Sequence, residues 1–210
     1  MERIICLAVG YLCGLLQTGY IYGRMHGMDI RQHGSGNSGA TNTLRVLGKK
    51  AGLIVFLGDA LKALIPCTVV RLIFGGQPET AGIAYVYMLY MGFGVILGHN
   101  FPFYMHFKGG KGIAATAGLI ASLDWRLTLA CAVVFIGCVL LTHYVSLGSI
   151  LVAVTFFLVN AFFSYQGYYG LNPEALPEFW ILLAAISVMA IWRHKANIKR
   201  LLAGNENKIF

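Results

Sequence analysis

Residues 98–113 read Gly-His-Asn-Phe-Pro-Phe-Tyr-Met-His-Phe-Lys-Gly-Gly-Lys-Gly-Ile and interrupt a chain that is otherwise mostly apolar. Glycines 109, 110 and 112 leave backbone N–H groups unshielded beside the ammonium groups of Lys108 and Lys111. This combination is suited to binding an anion such as a phosphate. It is not a Walker A loop, because Gly112 stands where that loop has Ser or Thr. A flexible surface loop whose lysines meet lipid head groups would look the same, so this segment alone leaves both interpretations open.

The composition predicts an all-α integral membrane protein. Of the 210 residues, 58% are hydrophobic and 11% are charged, whereas soluble domains carry about 25% charged residues. Since no long polar segment could form a second unit, we expect a single polytopic domain over residues 1–210. The net charge of +8 is typical of a basic cytoplasmic face, of contact with anionic lipids or of an anionic substrate. Nucleic-acid binding is disfavoured, because nucleic-acid-binding proteins are not usually this apolar.

The apolar runs predict about seven transmembrane helices. The first is expected to stay uncleaved, because no small-x-small site ends it. The run at 112–123 is too short for a full span unless the preceding loop enters the membrane. The five cysteines all lie within apolar runs without metal-ligand spacing, so we expect packing residues and no metal site. The predicted spans are 4–23, 51–75, 80–98, 112–123, 126–143, 145–165 and 178–192.

The positive-inside rule gives an orientation. With seven spans and the N-terminus outside, twelve Lys and Arg residues fall in the cytoplasmic loops and tail, and three fall on the outer side. This bias places residues 24–50, 99–111 and the C-terminal tail on the cytoplasmic face. The three outer cations are Arg3, Arg71 and Arg126. Lys62 lies within a span, three residues after Asp59, so we expect the two to pair inside the protein.

Residues 35–45, Ser-Gly-Asn-Ser-Gly-Ala-Thr-Asn-Thr-Leu-Arg, form a second candidate anion site. The glycines at 34, 36 and 39 permit tight backbone curvature. A short helix predicted over 40–47 would then present free N–H groups at its N-terminus. Arg45, one to two turns into that helix, can add a bidentate contact to a phosphate.

The C-terminal segment 192–207 is a third polar constellation. If it is a juxtamembrane helix, His194 and Asn197 share one face, and Glu206 is expected to tie the tail to a motif arginine. A plain polybasic tail that binds anionic lipid is the alternative. For His99, at the end of an apolar span, a helix cap and a substrate contact are both open.

The three segments together resemble one family. Ser-Gly-Asn-x-Gly-Ala-Thr-Asn-x-x-Arg (35–45), Gly-His-x-Phe-Pro-x-x-x-x-Phe-Lys-Gly-Gly-Lys-Gly (98–112) and Arg-His-x-x-Asn-Ile-x-Arg-Leu-x-x-Gly-x-Glu (193–206) occur in order. They are similar to the motifs of the bacterial acyl-phosphate-dependent glycerol-3-phosphate acyltransferases. The resemblance covers nearly the whole chain; Ser38 stands where relatives often have Pro.

The resemblance implies transfer of a fatty acyl group from acyl phosphate to the 1-hydroxyl of glycerol 3-phosphate. The products would be lysophosphatidic acid and phosphate, in the first step of phospholipid synthesis. It also implies a seven-helix fold in the bacterial cytoplasmic membrane, with no cofactor and no use of acyl-CoA or acyl carrier protein. Transient contact with an enzyme that produces acyl phosphate is expected.

Two groups of residues are predicted to form the site. One phosphate would be held by Ser35, Arg45 and Lys111, and the other by Lys108 with the glycine loop; His194 and Asn197 would position or polarise the hydroxyl and the carbonyl. The general base is either His194 or a substrate phosphate oxygen. The predicted catalytic residues are Ser35, Arg45, Lys111, His194 and Asn197. The predicted substrate-binding residues are Gly36, Asn37, Gly39, Thr41, Asn42, His99, Lys108, Gly109, Gly110, Gly112 and Arg193.

Two other functions share parts of this pattern. A transporter for a phosphorylated small molecule would usually place its site near the membrane midplane on broken, repeated helices, whereas here the motifs cluster on one face without a visible repeat. A lipid transferase with another phosphate-bearing acceptor would share every feature that the residues show by themselves. The family resemblance argues against that alternative.

Overall fold

The computed structural model describes residues 1–209, which form an all-helical structure without β-strands. The predicted all-α class is therefore confirmed. In chain order the helices are α1 (Glu2–Gly14), α2 (Thr18–Met25), α3 (Ala40–Gly75), α4 (Pro78–Ala81), α5 (Ala84–Asn100), α6 (Ile113–Leu123), α7 (Trp125–Thr142), α8 (Val145–Tyr165), α9 (Leu176–Arg193) and α10 (Lys195–Leu202).

Five segments of the described chain are long and apolar enough to cross a membrane. They are Glu2–Met25, Ala40–Gly75, Trp125–Thr142, Val145–Tyr165 and Pro173–Arg193. The helices α5, with 17 residues, and α6, with 11, are shorter. The predicted span limits agree with the helices to within a few residues, and the count of seven remains a prediction.

The first predicted span, 4–23, is wrong as a continuous helix. The helix stops at Gly14 and resumes at Thr18, because Gln17 turns out of helical geometry and uses its buried side chain on other segments. Its Nε2 donates to the carbonyl of His99 at 3.0 Å, and its Oε1 accepts from the Ser38 hydroxyl at 3.3 Å. The break thus links the first span to the end of α5 and to the loop before α3, where two of the motifs lie.

Helix α5 is the centre of the bundle and packs against α1, α3, α6 and α9. Its contact with α1 is unusually close because glycines meet on both sides. A Cβ atom on Gly10 or Gly14 would overlap backbone carbonyl oxygens of α5, and one on Gly94 or Gly98 would overlap those of α1. Small residues spaced four apart commonly allow such backbone approach between membrane helices.

Helix α3 combines the predicted short helix 40–47 with the second span. The two parts meet at Gly48, whose φ of 87° and ψ of 179° are non-helical. The left-handed φ requires glycine. The kink separates the segment that carries Arg45 from the span that carries Asp59 and Lys62, and that predicted pair is confirmed at 2.9 Å with both side chains buried.

Candidate active site

A cleft of about 170 Å³ opens where several helices begin or end. Four segments meet there: the loop into α3, the loop between α5 and α6, the junction of α7 with α8, and the C-terminal segment. The polar and glycine residues that line the cleft are Ser35, Asn37, Gly39, Thr41, Asn42, Arg45, Asp59, His99, Lys111, Gly112, Ser146, Ser149, His194, Asn197, Arg200, Glu206 and Asn207.

The three sequence motifs converge on this cleft, including all five predicted catalytic residues. Six of the predicted substrate-binding residues also line it: Asn37, Gly39, Thr41, Asn42, His99 and Gly112. Gly36, Lys108, Gly109 and Arg193 instead line a neighbouring cavity of about 380 Å³. Gly110 lines neither cavity and packs against the His99 imidazole. Lys108 and Lys111 are three residues apart in the sequence, yet they line different cavities.

Asn42 organises the first loop. Its Oδ1 accepts from the backbone N–H of Ser35 at 2.7 Å and from the Ser35 hydroxyl at 3.1 Å. Its Nδ2 lies within 3.0 Å of the carbonyl oxygens of Ile30, His33 and Asn37. Since these contacts use the hydrogen-bonding groups of the amide, Asn42 shapes the loop that presents Ser35 rather than offering a free amide to a ligand.

A chain of hydrogen bonds joins the second motif to the third. The Lys111 ammonium donates to Asn197 Oδ1 at 2.5 Å, and the Asn197 amide donates to Glu206 at 2.8 Å. Glu206 also accepts from Arg200 at 2.8 Å and from Ser146 at 3.1 Å. The predicted tie between Glu206 and a motif arginine is thus confirmed. Burial opposes ionisation of Glu206, but the hydrogen bonds from Asn197 and Arg200 hold its pKa below the usual value.

The buried ammonium of Lys111 should make phosphate binding weaker at alkaline pH. Burial lowers the pKa of its ammonium to about 8, and the Glu206 carboxylate offsets this only in part. Because only the ammonium attracts a phosphate, we expect the affinity of the cleft for a phosphate monoester to fall about tenfold per pH unit above about pH 8. Binding titrations with a phosphate monoester between pH 6.5 and 10 measure this. A flat profile up to pH 10 would contradict a role for the Lys111 charge.

The imidazole of His194 is held in one tautomer. Its Nδ1 lies 2.8 Å from the carbonyl oxygen of Ala190, which can only accept, so Nδ1 carries the proton and Nε2 keeps its lone pair. Burial lowers the pKa of His194 to about 4, and the charge of Lys111 adds to the effect. At neutral pH, His194 is therefore a neutral hydrogen-bond acceptor in the cleft wall.

The C-terminal tail borders the cleft. The Arg45 guanidinium donates to the backbone carbonyl of Asn207 at 3.2 Å, and the N–H of Ile209 donates to the carbonyl of His143 at 2.9 Å. Glu206, which precedes Asn207, is buried. These contacts hold the tail against the start of α3 and the turn before α8.

The neighbouring cavity is lined by Asp29, Arg31, Gln32, Gly36, Phe107, Lys108, Gly109 and Arg193. Arg193 donates to the carbonyls of Gly109 and Gly110 at 3.1 and 2.6 Å, so it fixes the glycine loop from this side. Arg31 is paired with Asp29 at 2.7 Å. Lys108 is exposed at the rim. We therefore assign Arg193 to holding the loop rather than to a position inside the cleft.

Several residues that line the cleft lie outside the three sequence motifs and were not predicted as site residues. The further polar residues are Asp59, Ser146 and Ser149, and the apolar wall comprises Phe56, Ile113, Ala114, Phe135 and Val145. In the sequence these residues belong to helices that read as ordinary spans. Within residues 1–209 no group of three or more His, Cys, Asp or Glu side chains could hold a metal ion.

Fold and cleft together define the class: an integral membrane protein with a cationic, amide-rich cleft beside an apolar wall. The family described as glycerol-3-phosphate acyltransferase matches residues 4–204. The glycerol-3-phosphate acyltransferase of Halalkalibacterium halodurans is 43% identical over 100% of this chain and 97% of its own. That of a Thermoanaerobacter species is 39% identical over 100% of this chain and 96% of its own.

Two solved structures show the same architecture. Both are crystal structures of PlsY, an integral membrane glycerol 3-phosphate acyltransferase, and both are 33% identical to this chain over 99% of its length. The glycerol 3-phosphate form has a TM-score of 0.84 and is covered over 96% of its chain; the lysophosphatidic acid form has a TM-score of 0.82 and is covered over 95%. The chain belongs to the glycerol-3-phosphate acyltransferase family.

Proposed function

We propose that the protein transfers a fatty acyl group from acyl phosphate to the 1-hydroxyl of glycerol 3-phosphate. The observation that carries this proposal is the two-sided cleft. Lys111, Arg45 and Arg200 supply positive charge, while Phe56 and Phe135 belong to its apolar wall. Such a site fits two phosphate groups and the start of an acyl chain. The forms of PlsY named for glycerol 3-phosphate and lysophosphatidic acid support the same acceptor and product.

Each polar group has a proposed role. Arg45 and Lys111, with Ser35 and the loop N–H groups, hold the phosphate of glycerol 3-phosphate. Asn197 keeps Lys111 in place through its 2.5 Å contact. His194 accepts a hydrogen bond from the attacking hydroxyl at its free Nε2. We propose that exposed Lys108 draws anionic substrates to the site from the neighbouring cavity.

The reaction is a direct displacement without an acyl-enzyme. The hydroxyl oxygen forms a bond to the acyl carbonyl carbon, and the bond from that carbon to the phosphate oxygen breaks. The proton of the hydroxyl passes to the departing phosphate, which leaves as hydrogen phosphate. His194, with its pKa held near 4 by burial, orients the hydroxyl but stores no proton at neutral pH. Preorganised donors around the cleft stabilise the charge that develops on the carbonyl oxygen.

The proposed orientation places the N-terminus outside and the cleft on the cytoplasmic face of a bacterial inner membrane. The short helices α5 and α6 would complete seven membrane helices. Arg3, paired with Glu178 at 2.6 Å, and Arg126, paired with Asp124 at 2.8 Å, would lie at the outer end. A cytoplasmic cleft would let an enzyme that produces acyl phosphate deliver its lipid product by transient contact.

The test is a donor comparison with purified protein. Labelled glycerol 3-phosphate is incubated with palmitoyl phosphate, palmitoyl-CoA or palmitoyl acyl carrier protein, and lysophosphatidate is measured. We expect product from palmitoyl phosphate alone, with the acyl group on the 1-position. Product from the CoA or carrier-protein donor alone would overturn the proposed donor. Absence of product from every donor, with the protein folded, would overturn acyl transfer itself.

A further inference from the structure

Three buried polar side chains meet beside the cleft: Asp59 and Lys62 of α3 and His99 of α5. Their side chains are 0%, 3% and 3% exposed. Asp59 and His99 line the cleft, whereas Lys62 stands behind them. The Lys62 nitrogen lies 2.9 Å from Asp59 Oδ1, 2.8 Å from His99 Nδ1 and 2.5 Å from the carbonyl oxygen of Leu16. The break between α1 and α2 exposes that carbonyl to Lys62.

These contacts determine where the protons lie. A lysine ammonium has three donors and no acceptor, and Lys62 has three acceptors within hydrogen-bonding distance. Asp59 balances its charge, which a buried ammonium requires. His99 Nδ1 must then accept from Lys62, so the proton of the neutral imidazole resides on Nε2.

The ring of His99 is also fixed in position. A Cβ atom on Gly110 would overlap the imidazole at Nε2, so the glycine loop packs directly on the ring. The backbone carbonyl of His99 accepts from Gln17 Nε2 at 3.0 Å and from the Gly110 N–H at 3.1 Å. The ring therefore has one orientation and one tautomer.

We propose that Lys62 is a positioning residue that fixes His99 as the Nε2–H tautomer, so that His99 donates a hydrogen bond to a phosphate or carbonyl oxygen of the bound substrates. This assignment rests on the proposed acyl transfer. It makes the two histidines of the cleft complementary: His194 accepts at Nε2, because its Nδ1 donates to Ala190, and His99 donates at Nε2. The cleft thereby offers a hydrogen-bond acceptor to the attacking hydroxyl and a hydrogen-bond donor to a substrate oxygen.

Nitrogen-15 NMR of histidine-labelled protein in nanodiscs tests the tautomer directly. The chain has six histidines, and the His99→Gln variant assigns the His99 signals. We expect Nε2 to resonate as a protonated nitrogen and Nδ1 as a hydrogen-bonded, unprotonated one. A proton on His99 Nδ1, or on both nitrogens, would overturn the proposal. This NMR measurement needs no substrate, so its result does not depend on the outcome of the acyl-transfer assay.

The double variant Asp59→Asn/Lys62→Met tests the positioning role. Both charges are removed together because a single change would leave an uncompensated buried charge. We expect mixed His99 tautomers and a loss of about 10- to 100-fold in kcat/KM, the range for partners that orient a histidine ligand. The His99→Gln variant should fall by a similar factor, and adding it to the double variant should cost little more. Unchanged tautomer and kinetics in the double variant would overturn the proposal.

Controls separate positioning from general destabilisation. The double variant Arg3→Gln/Glu178→Gln removes another ion pair, far from the cleft, and should leave kcat/KM and the His99 shifts within about twofold of wild type. Gly110→Ala should displace the ring and change the His99 shifts, whereas Gly137→Ala, with no atom near its Cβ position, should not. A wild type inactive with every donor would overturn the proposed function, and the NMR would still decide the tautomer.

Discussion

The variant Lys111→Met should lose about 10²- to 10³-fold in kcat/KM for glycerol 3-phosphate, the cost of removing one preorganised charge-stabilising donor. Lys111 is the second lysine of the glycine-rich motif and the one that lines the cleft. Its ammonium is partly buried, donates to Asn197 at 2.5 Å and faces the same cleft as Arg45 and His194. Methionine keeps the length and apolar stem but removes the charge. Steady-state kinetics in detergent or nanodiscs measures the loss.

Two further lysine variants sharpen this prediction. Lys108→Met should fall by only a few-fold, because Lys108 is exposed and borders the neighbouring cavity. Lys49→Met, an exposed lysine on α3, should remain within about twofold of wild type. Equal losses of kcat/KM in the variants at positions 108 and 111 would contradict the division of the motif between two cavities. They would indicate that both lysines bind the same phosphate.

The variant Asn42→Asp should have the second large effect, because it replaces a donor with an acceptor at the centre of the first loop. The Nδ2 of Asn42 lies within 3.0 Å of three carbonyl oxygens. A carboxylate oxygen there would repel all three and remain unsatisfied. We expect a stability loss of about 3 kcal/mol and at least about a hundredfold loss in kcat/KM, because the loop that presents Ser35 loses the three Nδ2 contacts that hold its shape.

A matched control is Asn160→Asp. Asn160 is also a buried amide: its Nδ2 donates to the carbonyl of Phe156 at 2.6 Å and its Oδ1 accepts from Tyr169 at 2.7 Å. It lies near the other end of α8 from Ser146 and Ser149. Asn160→Asp should lower the melting temperature while the folded fraction keeps its kcat/KM. If Asn42→Asp were equally active per folded molecule, Asn42 would have no role in shaping the site.

The sequence predicted the helices well because membrane helices follow length and hydropathy. Apart from the first span, the apolar runs identified the limits of the long apolar helices to within a few residues, and the spacing of Asp59 and Lys62 identified the buried pair. The break at residues 15–17 was missed because apolar composition does not report backbone geometry. Gln17 within an apolar run was the available signal. The glycine pairs in α1 and α5 carried a further signal for close packing.

The site was predicted in part. The three motifs named the residues that converge, because a glycine-rich or amide-rich loop has a local chemistry that can be read along the chain. Their division between two cavities could not be read, since it depends on how the loop of residues 108–112 folds over His99. Asn42 was predicted as a ligand contact, yet its amide is used by the loop itself. Asp59 and Ser146 reach the cleft from helices without any local motif.

One measurement tests the central claim most directly: phosphorus-31 NMR of purified protein with palmitoyl phosphate, first without and then with glycerol 3-phosphate. The account predicts no phosphate release above the uncatalysed rate in the first case. In the second, lysophosphatidate and inorganic phosphate should appear in equal amounts. Release of one phosphate per protein before the acceptor is added would indicate an acyl-enzyme, and release without lysophosphatidate would indicate hydrolysis. Either result would contradict direct transfer within one cleft.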